Sequence, residues 1–432
     1  MDEGRPDSAP MTRRPEVLIV SLSAPELDRI AVDLAARQSL LGIVRRYANK
    51  GRAWERSILK LPWLGGSYAS TFGRRLPPAG IDSRFVIEAG IGSDFLAALL
   101  NRAGRRVPGL VTPLSRRLLH RTEFSVARRA RRYVRDAAVV VGSYHVALPA
   151  FGAARRAGIP TVLNYPIAHH RWQYQRFSEQ AEANPEFAAA LPSFGDTERH
   201  AATLDREISL ADSILVGSSF ARDTFVSQGV PTSKIKVIPY GVDAQRFAPA
   251  AEPRGGKAPF RVLFVGQLGE RKGLSYLLRA YEAFRKPDTE LLLVGDFVNG
   301  REVYRRFDGM FSHVPNVPQT RLPAIFRSAD VFVLPTLVEG MPLVVLEAMA
   351  SGVPVVVTPN GPTDVVRDGL DGYIVRSCDS MALTERLEEL YRNPDRRAEM
   401  GRNARRRAEQ WTWGRYTTAA AEFVLDRARG VS

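Results

Sequence analysis

The stretch of this chain that most restricts its fold is residues 331–358, VFVLPTLVEGMPLVVLEAMASGVPVVVT. Residues 331–334 are apolar without alternation, which is the pattern of a buried parallel strand, and residues 353–357 repeat it. Between them lies a short helix. Pro342 suits its first position, where the N–H would have no partner, and Gly352 suits the left-handed residue after its end. The loop feeding the helix carries Glu339. Glu347 lies inside the helix among Val344, Val345, Leu346, Ala348 and Met349, where an ionised carboxylate needs a partner. Two isolated acids in such places would serve as a helix cap and a buried ion pair. Sugar hydroxyls would also satisfy them, and the free N–H groups at the helix start, including those of Leu343 and Val344, suit a phosphate.

Glu339 and Glu347, with seven residues between them and framed by Gly340, Pro342, Ala348, Gly352 and Pro354, resemble the donor-site signature of retaining glycosyltransferases with the GT-B fold, of the family 4 (group 1) type. The resemblance implies an α/β protein of two Rossmann-like domains facing across a central cleft. It also implies a donor pocket in which Glu339 holds hydroxyls of the donor sugar and Glu347 those of the ribose, with Gly340, Met341, Pro342, Leu343 and Val344 lining it.

A length of 432 residues exceeds one typical core, which agrees with two domains. The single cysteine, Cys378, excludes an internal disulfide framework and fits a reducing compartment. Residues 1–16 are polar, contain Pro6, Pro10 and Pro15, and lack the apolar core of a secretory signal; a disordered arm is expected. The most apolar long window, 137–154, holds His145, Pro149 and a Gly-Ser turn, and reads as strand, loop and helix. A cytoplasmic protein is the expectation. The net charge of +15 is uneven: residues 1–230 carry 32 Lys plus Arg against 22 Asp plus Glu. Such a bias suits a membrane surface or nucleic acid and does not choose between them.

Along the first half, residues 16–20 read as a strand and 26–47 as one long helix. The loop after that strand is SLSAP, where relatives often carry a Gly-Gly pair; Gly65 and Gly66 lie too far along to replace it. Basic residues over 45–75, among them Arg45, Lys50, Arg52, Arg56, Lys60, Arg74 and Arg75, interleave with Trp54, Trp63 and Phe72, a mixture that suits a lipid headgroup boundary. The stretch 102–135 has eleven arginines and one acid, Glu123. It reads either as a solvated face or as a surface for anionic lipid or a lipid-diphosphate acceptor; no RNA-binding motif or zinc-finger spacing accompanies it. Residues 139–141 and 161–164 are further strands. At the carboxyl end of the second stand His169 and His170, and the resemblance puts one of them, His169 first, beside the reacting sugar. Residues 177–194 read as irregular chain over an acceptor.

Residues 196–243 match the end of the family's first domain, with Ser218 capping a helix. The expected domains are 17–248, a linker over 249–259, 260–410, and a helix over 411–432 that crosses back to the first domain. In the loop GQLGERKG, Gly266 allows a tight turn, while Arg271 and Lys272 stand where cations neutralise a diphosphate. Relatives usually carry Arg directly after the first Gly; Gln267 takes its place here, which leaves Lys272 as the principal cation and Arg271 as its compensator. The segment 313–326 resembles the one whose backbone holds the nucleobase, through Val317.

The reading is a retaining, hexosyltransferase-like enzyme that moves a sugar from a nucleotide diphosphate sugar to an acceptor hydroxyl in polysaccharide, glycolipid or other glycoconjugate synthesis. The acceptor is unknown, and a lipid-linked one suits the basic half, as does peripheral contact with an anionic membrane on its inner face. No cofactor beyond the nucleotide sugar as co-substrate is expected, nor any metal, since no Asp-x-Asp triplet occurs in the chain. Catalysis is assigned to Glu339, Lys272 and His169. Alternatives are a sugar-nucleotide epimerase or hydrolase of the same fold, distinguished by turnover without an acceptor, and a non-catalytic nucleic-acid-binding protein resting on basicity alone.

Overall fold

A computed structural model of the chain describes residues 16–60, 72, 76–104, 118, 121–192, 197–250, 258–298, 300–315 and 317–430. The arm 1–15, the aromatic and basic positions Trp63, Arg74 and Arg75, the pair Gly65 and Gly66, most of 105–120 and residues 251–257 of the linker lie outside them. The chain divides into two compact units. One comprises residues up to 164, 205–212 and 420 onwards; the other comprises 165–204 and 213–419. The final helix, Trp413–Ala428, therefore has residues in both.

In the first unit, β1 (Val17–Val20), β2 (Leu40–Arg45), β3 (Val86–Glu88), β4 (Val139–Ser143) and β5 (Thr161–Asn164) lie in the order β3-β2-β1-β4-β5. All pairings among them are parallel. Val17, Leu18, Ile19 and Val20 have no exposed surface, as the unalternating apolar run demands of a central strand. Here the structure corrects the expected long helix. The helix ends at Ala36, Gln38 takes a left-handed φ of 56°, and the chain turns back as β2. Leu41 and Val44 sit at a spacing that both periods accommodate, so the turn decides between them. The same helix opens at Pro25, and buried Glu26 accepts a hydrogen bond from Asn164 at the end of β5, 2.9 Å away.

In the second unit β6 (Ser213–Val216) pairs in parallel with β7 (Ile235–Val237). A separate six-stranded sheet has the order β10-β9-β8-β11-β12-β13, from β8 (Phe260–Val265), β9 (Thr289–Val294), β10 (Ser312–Val314), β11 (Val331–Leu334), β12 (Val355–Val357) and β13 (Gly372–Ile374). It too is parallel throughout. Every residue of β11 and β12 is fully buried; each such side chain withdraws apolar surface worth about 1.5–3 kcal/mol. The helix Leu343–Ala350 joins them, one residue later than the expected start, with Pro342 as its N-cap residue. Its last carbonyl, Ala350, accepts from Arg405 at 2.7 Å, so a guanidinium satisfies the helix end.

Residues 177–194 are not irregular where they are described. The helix His170–Ala183 runs through the first part, and Pro185–Ala190 continues as 3₁₀ turns. Polar residues that obscure the helical period are anchored: Gln180 accepts from Tyr276 at 2.6 Å, and Asn184 donates to the same hydroxyl at 2.9 Å. Among the described residues no helix is long and apolar enough to cross a membrane.

Candidate active site

The carboxyl ends of β8 and β11 are adjacent in the second unit, and each delivers half of a charged cluster. After β8, the turn Glu270–Lys272 presents Arg271 and Lys272. It is fixed from below by Glu270, which is buried and accepts from the Ser275 N–H at 3.0 Å, the Ser275 hydroxyl at 2.7 Å and the Tyr304 hydroxyl at 2.7 Å. Gly273 then takes a φ of +71° against the Pro335 carbonyl, where any Cβ would collide. The loop after β11 is tied to the same turn: the Leu337 N–H and the Thr336 hydroxyl both donate to the Arg271 carbonyl, at 2.9 and 3.1 Å.

Glu339 forms ion pairs with both Arg271 and Lys272. Glu339 and Lys272 are buried, so the charges meet with little screening water. Burial alone would raise the Glu339 carboxyl, but the two cations hold it below the usual carboxylate range. Burial, with Arg271 beside it, lowers Lys272 from the usual ammonium range, while Glu339 pulls it back up. Arg271 also donates to the Val338 carbonyl at 3.2 Å and to the Gln267 side chain at 3.4 Å. Gln267, in the place where relatives carry Arg, thus touches the guanidinium of Arg271 four residues on.

Gly340 brings a third segment to the cluster. It forms an antiparallel bridge with Ile167, and a side chain there would run into the Pro166 carbonyl. Two residues on, His169 caps the helix His170–Ala183: its Nδ1 accepts from the Arg171 N–H at 3.2 Å, and its own N–H donates to Thr224 at 2.9 Å. His170 stacks on His169 with ring centroids 4.3 Å apart and meets the Tyr165 hydroxyl at 3.2 Å. Both histidines are buried. The structure therefore gathers Arg271, Lys272, Glu339, Gly340 and the His169 loop, with buried Met341 and Pro342 following.

Leu343 and Val344 are half-buried in the first turn of the helix, where their N–H groups have no helical partner. Glu347 follows on the next turn. Its carboxyl is pushed up to about 7 by burial, with Arg246 drawing it down, and no side-chain hydrogen bond to it is formed among the described residues. Gly266 follows β8, its N–H donating to the Val294 carbonyl at 2.9 Å. Val317 lies beyond β10, which two strands separate from β11.

Three further groups brace the segments around the cluster. The Ser218 hydroxyl caps its helix as expected and also donates to the Gly340 carbonyl at 2.5 Å. Asn360 donates to the Leu337 carbonyl at 2.7 Å and to Ser377 at 2.9 Å. Asp364 accepts from the N–H and hydroxyl of Ser219 at 2.8 and 2.6 Å. The only sequence signal for Asn360 and Asp364 is their place in the Gly-rich loop after β12.

Residues 251–407 match the family model for glycosyl transferases group 1, and residues 65–246 match that for glycosyltransferase family 4. The chain belongs to this glycosyltransferase family. Among curated relatives, the GDP-mannose-dependent alpha-(1-6)-phosphatidylinositol monomannoside mannosyltransferase of Mycolicibacterium smegmatis is 34% identical over half of this chain. The match spans 63% of that relative's length. Sucrose-phosphate synthase from Thermosynechococcus elongatus superposes with a TM-score of 0.67 at 18% identity, covering 97% of this chain and 100% of that one. HepE of Anabaena, solved with UDP-glucose, gives 0.61 at 15% identity, covering 95% and 99%. These likenesses give the group 1 chain the GT-B fold, with parallel sheets in both halves.

Proposed function

We propose that this protein transfers a sugar from a nucleotide diphosphate sugar to an acceptor hydroxyl with retention at the anomeric carbon. The observation that carries the reading is the cluster at the ends of β8 and β11, where two cations share one buried carboxylate beside a helix N-terminus. In the reaction the bond from the anomeric carbon to the diphosphate oxygen breaks, and the acceptor oxygen bonds to the same face of that carbon. The acceptor's proton passes to the departing diphosphate. Charge grows on that diphosphate as the sugar becomes oxocarbenium-like. Lys272, Arg271 and the N–H groups of Leu343 and Val344 would steady it, and preorganised donors of this kind are worth most in a site that excludes water. Glu339 would exchange part of its ion pairing for hydroxyls of the donor sugar, Glu347 would accept from the ribose, and His169 would lie beside the reacting sugar. With protein cations on the diphosphate, the mechanism needs no divalent metal.

The named relative uses GDP-mannose and the Anabaena neighbour binds UDP-glucose, which supports a nucleotide sugar donor and leaves base and sugar open. A lipid-linked acceptor is supported by that relative's phosphatidylinositol mannoside substrate. We place peripheral membrane contact, on the inner face of the cytoplasmic membrane, at the helix Ala53–Leu59. There Trp54, 40% exposed, carries the Arg52 guanidinium 5.8 Å from its ring.

The test is a thermal-shift panel of UDP, GDP, ADP and TDP sugars, since a ligand of the native state raises the midpoint by mass action. It is followed by product analysis of the anomeric configuration with a membrane-lipid acceptor. One donor should stabilise the protein and yield a retained linkage. An inverted product removes retention, and the absence of any donor shift removes the transferase reading.

A further inference from the structure

Five arginines of the first unit, Arg128, Arg131, Arg132, Arg135 and Arg156, line a cavity of about 630 Å³ that the proposed transfer does not use. Its apolar floor is Val134, Ala153 and Ala157. Residues 128–135 run from the end of the helical stretch 121–130 into the turn before β4, and Arg156 is in the last turn of the helix Leu148–Ala157 that precedes β5. The cavity thus lies at the amino ends of β4 and β5. Ligands of open α/β sheets bind outside the carboxyl ends, so the cavity lies at the opposite edge of this unit from the one such ligands use.

The charge state of the cavity is unusual for a surface face. Several basic side chains elsewhere in the same unit do have acidic neighbours: Arg45 meets Asp28 at 3.2 Å, Arg37 meets Asp33, and Arg52 meets Glu88. Among the described residues the side chains of these five cavity arginines make no ion pair or hydrogen bond. The adjacent helix ends explain part of this, because a cation near a helix C-terminus is favoured by about 0.3–1 kcal/mol. Two helix ends account for two such cations, and the remaining three repel them and one another. A concave wall of guanidinium groups, each a planar fork of donors, matches the oxygens of phosphate groups, and several at once match an anion with more than one.

We infer that this cavity is a second anion site, which binds a molecule carrying two or more phosphate groups, either free in solution or as the headgroup of a lipid. The site is separate from the transfer chemistry. It is also distinct from the helix Ala53–Leu59, which follows the carboxyl end of β2 and so lies at the other edge of the sheet.

The experiment uses the full chain, with the donor site blocked by saturating nucleoside diphosphate. Inorganic tripolyphosphate is titrated calorimetrically in one arm. In the other, the protein is sedimented with vesicles of phosphatidylcholine alone or with a phosphatidylinositol bisphosphate added. Wild type should bind in at least one arm, with affinity falling steeply between 50 and 300 mM NaCl. Arg131→Gln/Arg132→Gln should weaken that binding at least tenfold, and Arg131→Lys/Arg132→Lys should retain more of it, while the thermal shift given by the nucleotide stays unchanged in both. The arm that responds identifies the source of the phosphate. Arg156→Gln, on a different helix, should weaken binding in the same arm. Absence of binding in both arms, or equal binding by wild type and the glutamine variants, overturns the site. Neither result bears on sugar transfer, which is read separately by donor shift and product.

Discussion

The two concentrations of positive charge in this protein obey opposite rules. In the second unit, Arg271 and Lys272 are held against a single buried carboxylate by Glu270, Gly273 and the Thr336–Leu337 backbone. In the first unit, Arg128, Arg131, Arg132, Arg135 and Arg156 line an exposed cavity without acidic partners. The first arrangement fixes where charge sits to within a side-chain rotamer, which is what stabilising a transition state needs. The second fixes only a field, in which each exposed charge is worth about 1 kcal/mol or less and is screened over about 8–10 Å at ordinary ionic strength. Replacing one residue should therefore be decisive in the buried cluster and incremental in the open one.

The largest effect is expected where the contrast is sharpest. Lys272→Ala should reduce sugar transfer by about 10²–10³-fold, the cost of removing one preorganised donor from developing charge. Glu339→Gln should do at least as much. It removes the contact to the donor sugar and also leaves two adjacent cations without their counter-charge, which typically destabilises a buried pair by about 3–5 kcal/mol. A lower melting temperature should thus accompany Glu339→Gln and not Lys272→Ala, after which Arg271 still pairs with the carboxylate. Turnover within threefold of wild type in either variant would take that residue out of the site, and equal melting temperatures would mean that the pairing is not structural.

The buried cluster was legible in the sequence and the open one only in part, for a physical reason. Glu339, Pro342, Glu347 and Gly352 are spaced by the geometry of a strand, a turn and a short helix, and that spacing is itself a sequence pattern. Arg156 is over twenty residues from Arg135 and joins it only because β4 and the helix Leu148–Ala157 fold the chain back on itself. The strand β2 was missed because Leu41 and Val44 fit helix and strand alike, and the left-handed Gln38 that separates them carries no glycine to announce it. Gln180 and Asn184 hid a helix in the stretch read as irregular, since their polar side chains are satisfied by Tyr276 from a distant segment. Support from Ser218 and Asn360 was invisible for the same reason: each reaches a backbone carbonyl over twenty residues away.

A middle-sized effect is expected at Glu347, which is half-buried and lacks the paired cations of the cluster. Its carboxyl, pushed up to about 7 by burial with Arg246 drawing it down, is raised above the ordinary value. The folded protein then holds more protons than the unfolded chain between about pH 4.5 and 7, so stability falls as pH rises through that window. Between pH 5 and 8 this amounts to about 2 kcal/mol. Glu347→Gln should flatten the dependence. Donor affinity should run the other way: if ionised Glu347 accepts from the ribose, binding tightens severalfold from pH 6 to 8 in wild type and much less in the variant. A donor affinity whose pH profile is the same in wild type and Glu347→Gln would detach this acid from the ribose.

The smallest expected effect is none, and it tests whether the buried cations do the work assigned to them. A diphosphate leaving group needs positive charge, and in many enzymes a divalent ion held by acidic residues supplies it. Arg271 and Lys272 meet at the one Glu339 carboxylate, which leaves the cluster one net positive charge, and the helix after Pro342 adds free N–H groups that suit an anion. With that charge already in place, an added cation would compete with them for the same phosphate oxygens. Transfer in the presence of EDTA should remain within twofold of that in Mg²⁺ or Mn²⁺. The Lys272→Ala variant makes the test sharper, because a mutant short of one charge is the form in which Mg²⁺ could partly restore turnover. Loss of wild-type activity in EDTA, recovered on adding Mn²⁺, would show that the paired cations are insufficient and that the diphosphate is carried by metal.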